Sequence, residues 1–157
     1  MDTLTFQIHT VDPIAVEHAR RTGIDVNGNP VEPVVATGGE PVRCCLTDAR
    51  RGDDLLLIGY RPALPAASPY VETGAVFVHA RACDGPADLT AYPEDWRRRP
   101  QVLRAYDERG WIHPATTVHD GTDAPAVLAS VLATPGVVEV HSRNIGYGCF
   151  MFAATPA

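Results

Sequence analysis

The residues of this chain best suited to chemistry are four cysteines, six histidines and a scatter of arginines. Cys45 follows Arg43 by two positions, and a neighbouring guanidinium lowers a thiol pKa and favours the nucleophilic thiolate. His79 is the base expected to serve it, and Glu72, in a proline-rich stretch, is a candidate general acid or base. On an extended chain successive side chains point to opposite faces. Phe77, His79, Arg81 and Cys83 then share one face of Ala75–Cys83, and Val76, Val78, Ala80 and Ala82 the other. The same sorting places Arg43 with Cys45, Arg104 with Tyr106, and His141 with Arg143. If those faces converge, the arginine forks suit carboxylate or phosphate oxygens. Arg43, Arg104 and Arg143, with Tyr70 and Asn144, are the expected ligand-binding set. A different chemistry uses some of the same residues, because Cys45, His79, Cys83 and Cys149 (or His141) are the right types for tetrahedral zinc. Cys44 and Cys45, if extended, point apart, so at most one of them joins a given site. The plain alternatives are surface arginines and buried thiols acting as small apolar groups.

The elements that must position these residues follow from patterning. Leu4–His9 alternates apolar and polar and reads as a half-buried strand. Asp12-Pro13 supplies an N-cap and an N1 proline, Glu17 and Arg21 stand four apart, and Gly23 can end this short helix. Residues 24–42, rich in glycine, asparagine and proline, read as an ordered loop. Leu55–Ile58 is apolar throughout and reads as a strand buried on both faces. Arg61–Thr73, with three prolines, reads as a long loop of the kind that covers or binds a ligand. Ala75–Cys83 is a second strand, and Gln101–Asp107 with Trp111–His119 a hairpin around Glu108-Arg109-Gly110. Asp123-Ala124-Pro125 opens a helix whose Val127, Leu128, Val131 and Leu132 make one stripe, stopped at Thr134-Pro135-Gly136. Val137–Arg143 and Cys149–Ala153 close the chain as strands. The expected architecture is one α+β domain over residues 1–157, mostly antiparallel, with two short helices.

Composition narrows the function. The 157 residues carry a net charge of −6, without the basic footprint of a nucleic-acid binder. No apolar run is long enough for a membrane span, and no secretory leader is read at the N-terminus, so a cytoplasmic protein is expected. All thirteen basic residues are arginine. Without lysine there is no Schiff-base chemistry, no covalent pyridoxal phosphate and no P-loop lysine. Ser68, Ser130 and Ser142 are the only serines, and none lies in a nucleophile elbow. Four cysteines in a reducing compartment are expected to be free, metal-bound or reactive. His9, His18, His113 and His119 have no partner by spacing and read as structural or exposed. Trp96-Arg97-Arg98-Arg99 reads as a solvated turn.

Several short motifs occur in one order: Arg43-Cys44-Cys45-Leu46, Tyr60-Arg61-Pro62, Ser68-Pro69-Tyr70-Val71-Glu72, Phe77-Val78-His79-Ala80-Arg81-Ala82-Cys83, Leu103-Arg104-Ala105-Tyr106-Asp107, and Val140-His141-Ser142-Arg143-Asn144 with Tyr147-Gly148-Cys149. Together they resemble a bacterial domain-of-unknown-function family, number 1203, from about residue 40 to the C-terminus. Residues 1–39 supply the strand, helix and loop that precede it. The family's motif positions fall on Arg43, Cys45, Glu72, His79, Cys83, Arg143 and Cys149. Ala75 departs from the proline expected after Gly74. The resemblance implies a site on these residues and no particular activity.

Two functions of different class are therefore expected. One is a small enzyme acting on a small anionic metabolite, with Cys45, His79 and Glu72 as its chemistry. The other is a non-catalytic ligand- or partner-binding module, or a Cys/His zinc protein. A homodimer is compatible with either.

Overall fold

The computed structural model describes residues 5–157, so Leu4 of the first expected strand lies outside the described residues. In chain order the strands are β1 (Phe6–His9), β2 (Glu32–Val35), β3 (Pro41–Val42), β4 (Thr47–Asp48), β5 (Asp54–Tyr60), β6 (Gly74–His79), β7 (Gln101–Tyr106), β8 (Thr117–His119), β9 (Glu139–Asn144) and β10 (Phe150–Pro156). The helices are α1 (Pro13–Thr22) and α2 (Ala124–Ala133). The class is α+β with antiparallel pairing dominant. By its contacts the chain forms two compact units, one of residues 5–9, 63–71 and 88–157, the other of residues 10–62 and 72–87.

The first unit is a five-stranded antiparallel sheet in the order β1-β10-β9-β7-β8. The hairpin expected around residues 108–110 is present, with Gln101 opposite His119 and the turn held by Asp107, whose carboxylate accepts the Arg109 and Trp111 amides. β8 keeps only the last three residues of its expected span. α2 packs on β7, β9 and β10 through buried Ala124, Leu128, Val131 and Leu132, while Val127 of the expected stripe is only half-buried. Leu103, Ala105, Val140, Met151 and Phe152 are sealed in this core, and Trp96 stacks on Phe152. Each large side chain buried there stabilises by roughly 1.5–3 kcal/mol.

The second unit has the order β2-β5-β6-β3-β4, with one parallel pair, β3 on β6, and the others antiparallel. Two strands lie inside the stretch expected to be loop. β2 carries Pro33, which an edge strand tolerates because one side of its backbone needs no partner. β3 is only two residues long and leaves too little pattern to read. Leu57 of the apolar run is half-buried, whereas Leu55, Leu56 and Ile58 are buried. β6 stops at His79 rather than Cys83 because its partner β5 begins at Asp54. Leu55 pairs with His79, the Ala80 amide takes the Asp54 carbonyl, and the ladder has no further rung.

α1 begins and ends as expected. Asp12 accepts the Ile14 amide at 2.9 Å, Pro13 follows, and Gly23 turns left-handed at φ 73° to close the C-terminus. Its ion pair differs: Glu17 reaches Arg20 at 3.6 Å, and Arg21 is exposed. Val16, Ala19 and Arg20 lie at i, i+3 and i+4 and so share the inward face of the helix.

Candidate metal centre

The centre is built by register. Val42 pairs in parallel with Phe77, and the Arg43 amide donates to the Phe77 carbonyl at 2.9 Å. Two residues further along both chains, Cys44 comes level with His79, whose amide lies 3.3 Å from the Cys44 Sγ. There β3 ends, and residues 43–46 form one tight turn in which the Leu46 amide returns to the Val42 carbonyl at 2.9 Å. Leu46 adopts φ 59°, and among the described residues it is the one non-glycine in the left-handed region. For a branched side chain this conformation carries strain, here held by burial of Leu46 and by the flanking β3–β4 pairing. The turn overrides the alternation that would send Cys44 and Cys45 to opposite faces. Both thiols enter one site.

Cys83 joins them because the chain bends after His79. Its thiol donates to Cys44 at 3.2 Å, while Cys45 Sγ lies 3.4 Å from His79 Nε2 and 3.0 Å from the Thr47 hydroxyl. The ligand atoms of Cys44, Cys45, His79 and Cys83 all fall within 4.8 Å of one another. Zinc bonds of about 2.3 Å to sulfur and about 2.0 Å to nitrogen put tetrahedral ligands roughly 3.5–3.8 Å apart. The donor types suit a four-coordinate zinc, and the widest pairs, at up to 4.8 Å, would draw in by about 1 Å around the ion. Cys44 and Cys45 also pack against the small core of Ala36, Val42, Ala49 and Leu55, which fixes the turn from behind.

The two neighbouring thiols are driven in opposite directions. A hydrogen bond from Cys44, then the Thr47 hydroxyl and the charge and ring of His79, outweigh burial and hold Cys45 down to about 5. Giving that hydrogen bond, and being buried, pushes the Cys44 thiol far up. One thiolate sharing a proton with a neighbouring thiol is what such crowding favours when no cation is present.

The remaining candidates are not among these four side chains. Arg43 is buried at 2 % exposure, with Nη1 on the Pro41 carbonyl at 2.6 Å, so that donor braces the turn. Arg81, expected to share a face with His79, is exposed beyond the end of β6, and Glu72 is exposed just before its start. Cys149 belongs to the first unit, where its thiol lies 3.9 Å from the Tyr147 carbonyl. In that unit the sorting by faces does bring residues together: Arg104 stands directly opposite His141, with Arg143 and Tyr106 on the same face of β9 and β7. His141 is buried between the rings of Tyr106 and Phe150, with Nε2 2.7 Å from the Glu139 carboxylate, and Arg143 Nε holds the Gly148 carbonyl. Asn144 closes the β9–β10 turn through its backbone, and Tyr70 meets Trp111 edge to face. His119 is structural: with Tyr92, Gln101 and Ser142 it forms a buried hydrogen-bonded network.

Cys44 and Arg20 are the residues that sequence reasoning passed over. A signal for Cys44 existed in the short apolar–turn–polar passage Pro41–Asp48, which a strand–turn–strand reading would have used. Arg20 is marked by its helical spacing from Val16. Searches for relatives give one result: residues 39–155 match the family described as protein of unknown function, DUF1203. No curated protein and no solved structure matches the chain significantly. The match spans all four residues of the Cys/His centre, and the chain belongs to the DUF1203 family.

Proposed function

We propose that this protein is a zinc-binding protein whose metal is held by Cys44, Cys45, His79 and Cys83. The observation that carries the reading is the meeting of three thiols and one imidazole within 4.8 Å. Four protein ligands make a closed, structural type of site. Bound there, zinc would tie the β3–β4 turn to the end of β6 and to the segment that follows, next to a core built largely of small residues. Free thiols, with no disulfide among them, suit a reducing, cytoplasmic compartment.

One specific observation favours a second reading. Cys45, held down to about 5 and 3.4 Å from His79 Nε2, is also the arrangement of an activated cysteine nucleophile. In that reading the protein is a small enzyme acting on an anionic metabolite.

One experiment separates them: metal analysis of protein purified without a histidine tag or chelator, together with titration of the native thiols. About one zinc per chain, with Cys44, Cys45 and Cys83 unreactive until a chelator is added, is the expected result. His79→Asn and Cys83→Ser should each lose the metal. Metal-free protein with one thiol reacting far faster than free cysteine overturns the zinc reading in favour of the nucleophile.

A further inference from the structure

Arg20 comes from α1, ahead of the family-matched residues, and approaches the Cys/His centre from the side. Its Nε donates to the His79 carbonyl at 3.0 Å, which anchors the guanidinium next to β6. Nη1 faces the exposed Glu17 carboxylate at 3.6 Å, too long for a good hydrogen bond. Nη2 is sealed from solvent and has no hydrogen-bond partner. A buried guanidinium nitrogen without an acceptor is costly, and a ligand oxygen would relieve that cost. Arg20 also lines a cavity of about 210 Å³, together with Cys44, Cys83, Val11, Val16 and Pro86. Asp84 stands at the same cavity.

We propose that this cavity binds a small monocarboxylate, its carboxylate on the Arg20 guanidinium, whose Nη2 turns toward it on binding, and its short chain between the apolar wall and Cys44 and Cys83. The charge on the ligand follows from the surroundings. Nε is committed to the His79 carbonyl, and Glu17 and Asp84 already bring negative charge, so a monoanion is favoured over a phosphate dianion. The volume leaves room for a carboxylate and a few further atoms. The site exists whether or not zinc is present, so the inference goes beyond the metal reading. The two are coupled, however. Three thiolates and a dication leave the loaded centre with one negative charge, which opposes a carboxylate alongside. Zinc and the carboxylate therefore weaken each other's binding reciprocally.

The test is alkylation of chelator-treated, reduced full-length protein by iodoacetate and by its neutral analogue iodoacetamide, with the rate at each cysteine read by peptide mass spectrometry. The two reagents differ in the carboxylate, and the carboxylate is what Arg20 would capture. The expected result is that iodoacetate outpaces iodoacetamide at Cys83 but not at Cys149, and that acetate protects against it at matched ionic strength. Arg20→Gln should lower the iodoacetate rate by about tenfold or more while changing the iodoacetamide rate little, and Arg20→Lys should retain part of the preference. A wild-type protein in which iodoacetamide is faster at Cys83 and acetate gives no protection overturns the proposal. If Arg20→Gln unfolds, acetate protection of the wild type decides the matter alone. Because the protein is metal-free throughout, a failure here leaves the zinc measurement standing, and the reverse also holds.

Discussion

At the scale of single residues, the Cys44–Cys45 pair is the most altered, Cys44 being pushed up and Cys45 down. The Cys45 thiol sits at about 5, against 9.0 for an unperturbed cysteine, because Cys44, Thr47 and His79 all favour the thiolate. A depressed folded-state pKa stabilises the fold above the unfolded pKa, and that stability is lost as pH falls toward the folded value. Metal-free protein should thus lose stability between about pH 9 and about pH 5, as read by urea unfolding midpoints across that range. A midpoint that stays flat through this interval in wild type, but not in Cys45→Ser, would contradict the assignment. Thr47→Val removes a hydroxyl 3.0 Å from Cys45 Sγ and should weaken zinc binding by about tenfold, measured by competition with a chromophoric chelator. Zinc uptake must also displace the Cys44 proton, whose thiol is held high, so apparent affinity should rise with pH.

At the scale of elements, the helix that presents Arg20 depends on its cap. Asp12→Ala removes the acceptor of the Ile14 amide and should cost about 1 kcal/mol of stability by denaturant titration. Gly121 follows β8 with φ 88°, and a Cβ there would overlap the Arg98 carbonyl. Gly121→Ala should therefore cost at least roughly 1–3 kcal/mol, the left-handed strain and the overlap with the Arg98 backbone adding together. α1, β1 and the β7–β8 hairpin were legible because each has a local signature: an aspartate before proline, strict alternation, a turn sequence between apolar runs. β2 and β3 were not. Pro33 argues against a strand unless the strand is known to be at an edge, and two residues carry no periodicity. Edge position is a property of the assembled sheet.

At the scale of the whole molecule, each of the two units buries its own set of apolar side chains. In the first unit large side chains fill the interior, so Leu103→Ala should cost about 2–5 kcal/mol through transfer and cavity effects. In the second, the core beside the Cys/His centre is small, and metal would supply part of its stability. Removing zinc with a chelator should accelerate amide hydrogen exchange in residues 41–48 and 74–87 while β7, β9 and β10 keep their protection. Equal acceleration in both units would show that the metal does not act locally.

The sequence by itself determined the α+β class, both helices and the absence of lysine chemistry, and it offered Cys45, His79 and Cys83 as candidates for one of several possible sites. It could do so because residue type and local period are sequence properties. It placed Cys149 with them and left Cys44 out, since an extended chain sends neighbouring side chains apart and nothing local announces a left-handed Leu46. Only the tertiary structure decided that the parallel register of Val42 with Phe77 carries Cys44 level with His79, and that Arg20 faces inward beside them. Register between strands and the inward face of a helix are set by what packs on the other side, and those partners lie about 35 and about 60 residues away in the chain.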